Sequence, residues 1–382
     1  MTAKGSDQKL LPVASPQQGR PRLLVIQPLV GIGDMVWHKP WIDHLAQSYD
    51  VVIATKPTVK ADDLFAMSEG VVEILSIERS LRGRKGRHDG VLGFARLIAD
   101  MRAVKADRVV ILHHSSRYGL AAYLAGIPER WGYGIGSAAR WLNRGAFLDK
   151  SARHQHPTGK MKDFAVMNGF QPNPPVWAIG SPPDAVAGAT AFLDENAIPA
   201  TEPLSPFVTI GVGAMDVERQ WPAAHCAEFV QMMRAAFPTI RIGLMGAPLE
   251  IHLIDAVRDA VPENADVMPM TMPLNEAISL LGRNLLYVGN DTSLLNIAAA
   301  CGRPAIGIFA QSKPLDYTHH IKAVSAPDGT YGKPNHIATI TADLVFAAVC
   351  DELQQLGWTP QNTPKPKPTP KRAGRTKSKS AT

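Results

Sequence analysis

One acidic residue stands where an apolar run near the start of the chain gives way to a glycine-rich turn. The run covers residues 23–26, Gly31 and Gly33 follow it, and Asp34 comes next at the start of a segment with helical spacing. Glycines allow a close approach of the backbone, and the first N–H groups of a helix can bind an anion or a hydroxyl. A carboxylate there could remove a proton from a bound hydroxyl, or it could only stabilise the helix by its charge. The sequence does not separate these roles.

The glycine pair does not complete the fingerprint of a dinucleotide-binding turn. That fingerprint needs a third glycine, where Val36 stands, and an acid after the next strand, where Lys56 stands. We therefore expect no nicotinamide cofactor.

A second turn with suitable chemistry lies in the other half of the chain. Asp291, Thr292 and Ser293 follow a predicted strand and open a segment with helical spacing that ends at Gly302. These side chains could simply cap the helix, but free N–H groups and hydroxyls would also bind a diphosphate. Arg219 precedes another predicted helix, and its guanidinium could neutralise a phosphate without a metal.

Two further groups of polar residues admit both a structural and a functional interpretation. Residues 79–88 hold a basic cluster broken by two glycines, which predicts a loop that is either solvated or binds an anionic substrate. The histidines at 113–114 and 154–156 have no neighbouring acid or cysteine in a ligand pattern, so we predict no metal site. His113 and Arg117 follow a predicted strand and could contact a substrate. The basic cluster comprises Arg79, Arg82, Arg84, Lys85, Arg87 and His88.

Short apolar runs alternate with longer segments of helical spacing, the pattern of parallel sheets with helical crossovers. The chain is therefore predicted to be α/β, with two similar units side by side and a cleft at the carboxyl ends of their strands. A closing helix is predicted at residues 342–356. The strand candidates are residues 23–27, 51–55, 72–77, 108–112, 131–132, 207–212, 240–245, 266–268, 285–288 and 305–309.

The domain limits follow from length and composition. At 382 residues the chain exceeds the usual size of one core, and a Pro-dense segment at residues 171–184 indicates a connection. We place the first domain at residues 21–190 and the second at 191–358. Segments 1–20 and 359–382 are predicted to be disordered.

The net charge of +6 is concentrated in the C-terminal tail. Residues 359–382 contain seven Lys or Arg and no acid, which leaves the rest of the chain close to neutral, so we predict no nucleic-acid partner. The tail is either a solubilising extension or a contact for anionic lipid headgroups. The absence of a long apolar run or a signal-like N-terminus, with only three widely spaced cysteines, predicts a cytoplasmic protein with reduced thiols.

Several motifs together resemble glycosyltransferase family 9, the ADP-heptose:lipopolysaccharide heptosyltransferases. The resemblance extends from about residue 22 to residue 309, with the motifs in the family's order and spacing. They are LLVIQPLVGIGDMVWHKPWIDHL, LAGIPERWGYG, ERQWPAAHCAEFV, GLMGAPLE and VGNDTSLLNIAAACGRPAIGIFA.

The resemblance implies the GT-B fold, in which two Rossmann-like domains with mostly parallel sheets face a central cleft. It implies that the first domain binds the acceptor and the second the nucleotide-sugar donor, and that Asp34 acts as the catalytic base. Two positions depart from the family pattern, since Ser293 replaces a glycine and Asn296 replaces a histidine. The donor residues implied are Arg219, Gly246, Asp291, Thr292, Ser293 and Asn296, and the expected acceptor residues are Gly33, His38, His113, Arg117, Arg84 and Arg87.

The predicted function is inverting, metal-independent transfer of a heptose or related sugar from a nucleotide-sugar, ADP-heptose by preference. The expected acceptor is a hydroxyl of an anionic lipopolysaccharide-core glycolipid, and a peripheral contact with the cytoplasmic face of the inner membrane is a further expectation. No cofactor is predicted. The alternatives are a transferase or epimerase of this fold with another nucleotide-sugar, and a non-catalytic scaffold, which the residues at positions 293 and 296 motivate.

Overall fold

Two parallel β-sheets organise the chain, one in each half. The structure is a computed structural model that describes residues 19–80, 83–172, 175–199, 204–261, 266–314 and 316–361. Arg82 of the basic cluster and nearly all of both predicted disordered termini lie outside these ranges. None of the helices in the described ranges is long and apolar enough to cross a bilayer.

The first sheet is built from short apolar segments, most of them buried on both faces, as is usual for parallel strands. Its strands are β1 (Arg22–Gln27), β2 (Asp50–Thr55), β3 (Val71–Ser76), β4 (Arg108–Ile111) and β5 (Glu129–Gly132). They pair in parallel in the order β3-β2-β1-β4-β5. Because β1 is central, its carboxyl end opens at the middle of the sheet edge.

Helices cover both faces of this sheet. They are α1 (Ile32–Ala46), α2 (Ala61–Leu64), α3 (Gly90–Ala103), α4 (Ser116–Leu124) and α5 (Pro157–Asn168). Apolar side chains of α3 and α4 pack on one face, where Leu97 and Met101 meet Leu24 and Val52 of the strands. Side chains of α1 and α5 pack on the other face, which is the face turned toward the second half of the chain.

The second sheet has six strands. They are β6 (Phe207–Gly211), β7 (Arg241–Met245), β8 (Val267–Met270), β9 (Leu286–Asn290), β10 (Ala305–Phe309) and β11 (Ile321–Ser325), paired in parallel in the order β11-β10-β9-β6-β7-β8. The remaining helices are α6 (Pro183–Glu195), α7 (Ala223–Ala236), α8 (Ile251–Asp259), α9 (Leu274–Arg283), α10 (Ser293–Ala300) and α11 (Ala342–Gln355).

The two halves share one apolar core across their interface. α1 packs against α10, and α6 packs against α9. Trp177, in the connection, lies edge-on to Trp41 of α1, with the ring centroids 5.9 Å apart, and edge-on to Tyr317 of the second half at 5.1 Å. The interface is therefore closed by buried side chains rather than by a few surface contacts.

The predicted α/β class and the parallel sheets are confirmed, and the closing helix is α11. The sequence missed β11, whose residues are mostly half-buried at the sheet edge and so give a weak apolar signal. The predicted domain limit between residues 190 and 191 falls within α6. Thr190 of that helix accepts a 2.9 Å hydrogen bond from Arg283 of α9, and α6 packs on α9.

Candidate active site

Asp34 lies in the first turn of α1, after the carboxyl end of the central strand β1. Its Oδ2 accepts a 3.1 Å hydrogen bond from the N–H of Gly31, which precedes the helix. A Cβ added at Gly31 would lie 2.7 Å from this oxygen, which explains the glycine. Burial raises the pKa of the Asp34 carboxyl above its ordinary value, against the opposing effects of the Gly31 N–H and of Lys160. A half-buried carboxylate of this kind is a stronger base than an exposed one.

His38 fixes the turn that carries Asp34. Its Nδ1 donates to the Asp34 carbonyl at 2.6 Å, and its Nε2 lies 3.2 Å from the Tyr133 hydroxyl. The side chain has no exposed surface, and burial lowers its pKa to about 4, so the ring is neutral. The predicted contact of His38 with the acceptor does not fit this arrangement, because both ring nitrogens are used inside the first domain.

Lys160 is the cation that the sequence analysis missed. It lies in the first turn of α5, is half-buried, and lowers the pKa of both Asp34 and His113 by its charge. It forms no ion pair within 4 Å with any carboxylate of the described residues. A lysine in the first turn of a helix opposes the helix dipole, and that mismatch was the available signal.

His113 and Arg117 follow β4, which pairs directly with β1, so they share the sheet edge with Asp34. Burial lowers the pKa of His113 to about 4, and its Nδ1 accepts a 3.0 Å hydrogen bond from the Ser115 N–H. Arg117 stacks over Phe94 at 4.5 Å and donates to the carbonyl of His88 at 2.8 Å. Arg117 therefore supports the basic loop as well as facing this edge of the sheet.

The basic cluster forms the loop between β3 and α3, as predicted. Arg87 pairs with Asp100 of α3, and the buried His88 donates to the same carboxylate at 2.9 Å. Arg84 is exposed, and no carboxylate in the described ranges pairs with it. β2 separates β3 from β1, so the loop lies toward one end of the sheet edge and does not surround Asp34.

A cavity of about 320 Å³ opens at the carboxyl ends of β2 and β3. Lys56 and Lys60 line it together with Asp62 and Asp63. Burial lowers the pKa of Lys56, and the positive charge of Arg79 lowers this pKa further. The sequence pattern did not indicate this cavity, since its lysines are separated by a proline turn.

The start of α10 forms the opposing part of the site. Thr292 precedes the helix, but its side chain makes no capping hydrogen bond to it, so the simple capping role is not realised. Asp291 accepts a hydrogen bond from the Ser312 hydroxyl, and its carboxylate lies 3.6 Å from Arg219. The structure thus brings together Arg219 and Asp291, which are 72 positions apart in the sequence.

Glu250 is a second site residue that the sequence analysis did not single out. Its Oε2 accepts a 2.8 Å hydrogen bond from the Ala247 N–H, directly after Gly246 at the end of β7. A Cβ at Gly213 would lie 2.1 Å from this oxygen, so the loop after β6 passes closely over the carboxylate. Exposed Met215 and Leu249 lie in the same two loops.

Asn296 joins the two domains. Its Oδ1 accepts hydrogen bonds from the indole N–H of Trp37 in α1, at 2.9 Å, and from the hydroxyl of Tyr317, while its Nδ2 donates to the Thr292 carbonyl at 2.8 Å. The residue is 5% exposed. The predicted donor contact of its side chain does not fit, because all of these bonds lie within the protein.

Gly33 belongs to the same interface. A Cβ added to it would lie 3.5 Å from Asn296 Nδ2 and 3.9 Å from Ser293 Cα. Gly33 therefore lies where α1 approaches α10, and its contact with the acceptor stays a prediction. The first turns of these helices, with Asp34 on one and Ser293 on the other, meet across the domain interface.

The family follows from comparison with known proteins. The model of glycosyltransferase family 9 (heptosyltransferase) matches residues 94–331, more than half of the chain. The chain belongs to glycosyltransferase family 9. The match begins after Asp34, so the role of that residue depends on the geometry described above.

Relatives and solved structures agree with this family 9 assignment. Lipopolysaccharide heptosyltransferase 2 of Escherichia coli K12 is 24% identical over 229 residues, 57% of this chain and 63% of that protein. The chain spans less than two thirds of the length of the curated relatives that it matches.

Two solved structures share the fold. The E. coli ADP-heptose lipopolysaccharide heptosyltransferase II superposes with a TM-score of 0.68 at 18% identity, covering 88% of this chain and 99% of that one. A family 9 glycosyltransferase from Veillonella parvula superposes with a TM-score of 0.72 at 17% identity, covering 88% and 97%. The predicted GT-B fold is thus confirmed, as is the family resemblance drawn from the motifs.

Within the described ranges of this family 9 chain, no group of three or more His, Cys, Asp or Glu side chains is arranged to hold a metal ion. His113 and His114 stack on each other with their ring centroids 4.4 Å apart, and His156 contacts Trp37 edge-on at 4.3 Å. The histidines at these positions therefore pack against aromatic partners.

Proposed function

We propose that the chain transfers a heptose with inversion from ADP-heptose to a hydroxyl of a lipopolysaccharide-core acceptor. One observation carries the proposal: the half-buried carboxylate of Asp34 and the uncapped start of α10 meet across the domain interface. A base and an anion-binding helix start on opposite domains are what displacement at a sugar–phosphate bond requires.

Asp34 is the proposed general base. One of its oxygens is held by the Gly31 N–H, and the other makes no hydrogen bond within the part of the chain described. The raised pKa increases its proton affinity. A positioned base usually contributes about 10²–10⁴-fold to the rate.

The second domain is proposed to stabilise the leaving diphosphate. The N–H groups at the start of α10 and the guanidinium of Arg219 would bind the developing negative charge. Asp291 and Ser312 position this arginine through the ion pair and its hydrogen bond. We propose that this charge suffices without a metal ion, and that no cofactor takes part.

The first domain is proposed to bind an anionic glycolipid. Lys160 is the half-buried cation on the same domain as Asp34, and Arg117 and His113 lie at the neighbouring strand end. Arg84 is free to bind a more distant anionic group, whereas Arg87 already pairs with Asp100. The proposed setting is the cytoplasmic side of the inner membrane, where the acceptor would be anchored.

A binding and product assay tests the proposal. Calorimetry with ADP, UDP and GDP, without and with Mg²⁺, is expected to show selective binding of ADP that Mg²⁺ does not change. Incubation with ADP-heptose and a lipopolysaccharide-core acceptor should then give the glycosylated acceptor with inverted anomeric configuration. Binding of UDP or GDP instead of ADP would contradict the donor, and an isomerised donor in the absence of acceptor would indicate an epimerase.

A non-catalytic scaffold is the second candidate, and one observation favours it. Asn296 stands where the resemblance implies a histidine, and its side chain makes hydrogen bonds that join the two domains. A scaffold would bind ADP or the glycolipid and give no product, whereas the retention of Asp34 and Arg219 supports a working enzyme.

A further inference from the structure

The first domain carries an exposed apolar helix surface that the proposed reaction does not use. Val91 and Leu92, in the first turn of α3, are 87% and 75% exposed. Ala95 and Ala99 continue the exposed side at helical spacing. Adjacent aliphatic side chains on one side of a helix gain free energy when a partner removes them from water.

The charges on this side of the domain are positive. Arg96 and Arg102 are exposed on α3, and Arg84 and Lys85 are exposed in the preceding loop. Neither Arg84 nor Lys85 pairs with a carboxylate among the described residues. Two of these cations lie on α3 itself, and the other two lie in the loop that leads into it.

The acid of α3 and the acid just before this helix both have partners within the domain. Asp100, the acid of α3, is held by Arg87 and His88. Asp89, just before the helix, accepts hydrogen bonds from the N–H groups of Ser80 and Gly86. The surface therefore presents aliphatic and cationic groups together, with its two neighbouring carboxylates already satisfied.

This surface adjoins the acceptor side of the cleft. α3 begins after the carboxyl end of β3, and the carboxyl ends of β1 and β4 lie at the same sheet edge. Arg117 connects the two regions, because it stacks on Phe94 of α3 and follows the end of β4.

We propose that this α3 surface docks on an anionic lipid bilayer. It consists of Val91, Leu92, Ala95, Arg96 and Ala99. Aliphatic residues bordered by arginines have the composition of helices that lie in a bilayer interface, with the cations at the headgroups. The charge complementarity selects a bilayer with anionic lipids over a neutral one.

The role given to this docking rests on the proposed function, whereas the docking itself does not depend on it. A docked α3 directs the edge of the sheet that holds Asp34 toward the lipid headgroups. A glycolipid acceptor would then present its sugar to the cleft while its acyl chains stay in the bilayer.

The experiment uses the full chain and vesicles that contain no glycolipid. Binding to phosphatidylcholine–phosphatidylglycerol vesicles is measured by co-sedimentation, beside vesicles of phosphatidylcholine alone. The double variant Val91→Ser/Leu92→Ser is expected to bind the mixed vesicles about tenfold more weakly. The matched control is Val166→Ser/Met167→Ser, an adjacent pair on α5 that is 56% and 49% exposed, and it should bind like the natural chain.

Charge and gain-of-binding variants extend the test. Arg84→Gln and Lys85→Gln should each weaken binding to the mixed vesicles roughly fivefold and make it less sensitive to salt. Leu92→Trp should strengthen binding, because tryptophan favours the membrane interface.

Two results would overturn the docking. The first is an absence of binding to mixed vesicles, and the second is equal binding of the natural chain and the Val91→Ser/Leu92→Ser variant. Equal binding that salt abolishes would assign the contact to the basic C-terminal tail. Calorimetric ADP binding is measured on the same variants, so a failure of the proposed transferase function would be recognised separately.

Discussion

The first turns of α1 and α10 meet at the domain interface and are completed in opposite ways. At α1 the carboxylate of Asp34 accepts the N–H of Gly31, so one N–H group at the helix start is satisfied by a side chain of the helix itself. At α10 the side chain of Thr292 makes no such bond. A satisfied start fixes a carboxylate in place, while an unsatisfied one leaves N–H groups for an external anion. The difference supports the proposed base on the first domain and the proposed anion site on the second.

Replacing Asp34 should have the largest effect, because it removes the base and keeps the helix start. Asp34→Asn is expected to lower kcat about 10²–10⁴-fold with unchanged ADP affinity. Since burial raises the folded pKa of this carboxyl, its contribution to stability is full below the unfolded pKa and lost as the pH rises through the folded one. The asparagine variant should therefore be at least as stable as the natural chain at neutral pH.

Steady-state kinetics, calorimetry and thermal unfolding check this prediction. Asp194→Asn, an exposed acid on α6, serves as the control and should leave kcat unchanged. A kcat equal to that of the natural chain in the Asp34→Asn variant would show that Asp34 is not the base.

Replacing Asn296 tests the contact between α1 and α10, because its side chain joins these two helices. Asn296→Ala would leave the indole N–H of Trp37 and the hydroxyl of Tyr317 without their shared acceptor. We expect the free energy of unfolding to fall by about 3 kcal/mol, measured in urea. Asn196→Ala removes one local bond to the Phe192 carbonyl and should cost under about 1 kcal/mol. Equal losses in the two variants would show that the bridge adds no stability.

Variants of Arg219 test whether the start of α10 is the binding site of the diphosphate. Arg219→Ala should weaken ADP binding about 10–100-fold, because the guanidinium would form charge-assisted hydrogen bonds to the diphosphate. Arg219→Lys should recover part of the loss, since a lysine keeps the charge and loses the forked geometry. Arg258→Ala on α8 is the control, and calorimetry is the measurement. Unchanged ADP affinity in Arg219→Ala would place the diphosphate elsewhere.

Replacing Lys160 should have the smallest effect, which is a change in the pH dependence of kcat/KM. Its charge lowers the raised pKa of Asp34, so Lys160→Gln should move the acid limb of the kcat/KM profile to higher pH by less than about one unit. Lys162→Gln, an exposed neighbour on α5, should leave the limb in place. A shift to lower pH would contradict the proposed interaction.

Local patterns in the sequence were sufficient for the first ten strands and for the turns that carry Asp34 and Asp291. Asp34 and Asp291 were found because each stands directly after an apolar run that ends in a turn. Parallel strands place such positions at one edge of a sheet, so the pattern also indicated that the two belong to a cleft.

The remaining site residues depend on contacts between distant segments. The bridge of Trp37, Asn296 and Tyr317 joins three elements with no shared motif, and Lys160 reaches Asp34 only through the packing of α5 on α1. The predicted domain limit falls within a helix for the same reason, since α6 follows a Pro-dense connection and packs on α9. Spacing along the chain contains no information about such partners.

The shared apolar core of the two halves affects how the molecule melts. Trp41, Leu193, Leu281 and Ala298 belong to one buried cluster, although they come from α1, α6, α9 and α10. Separating the halves would expose this cluster to water, so each half would lose part of its apolar core. Calorimetric melting should accordingly proceed as one cooperative transition, with a van't Hoff enthalpy equal to the calorimetric enthalpy for the whole chain.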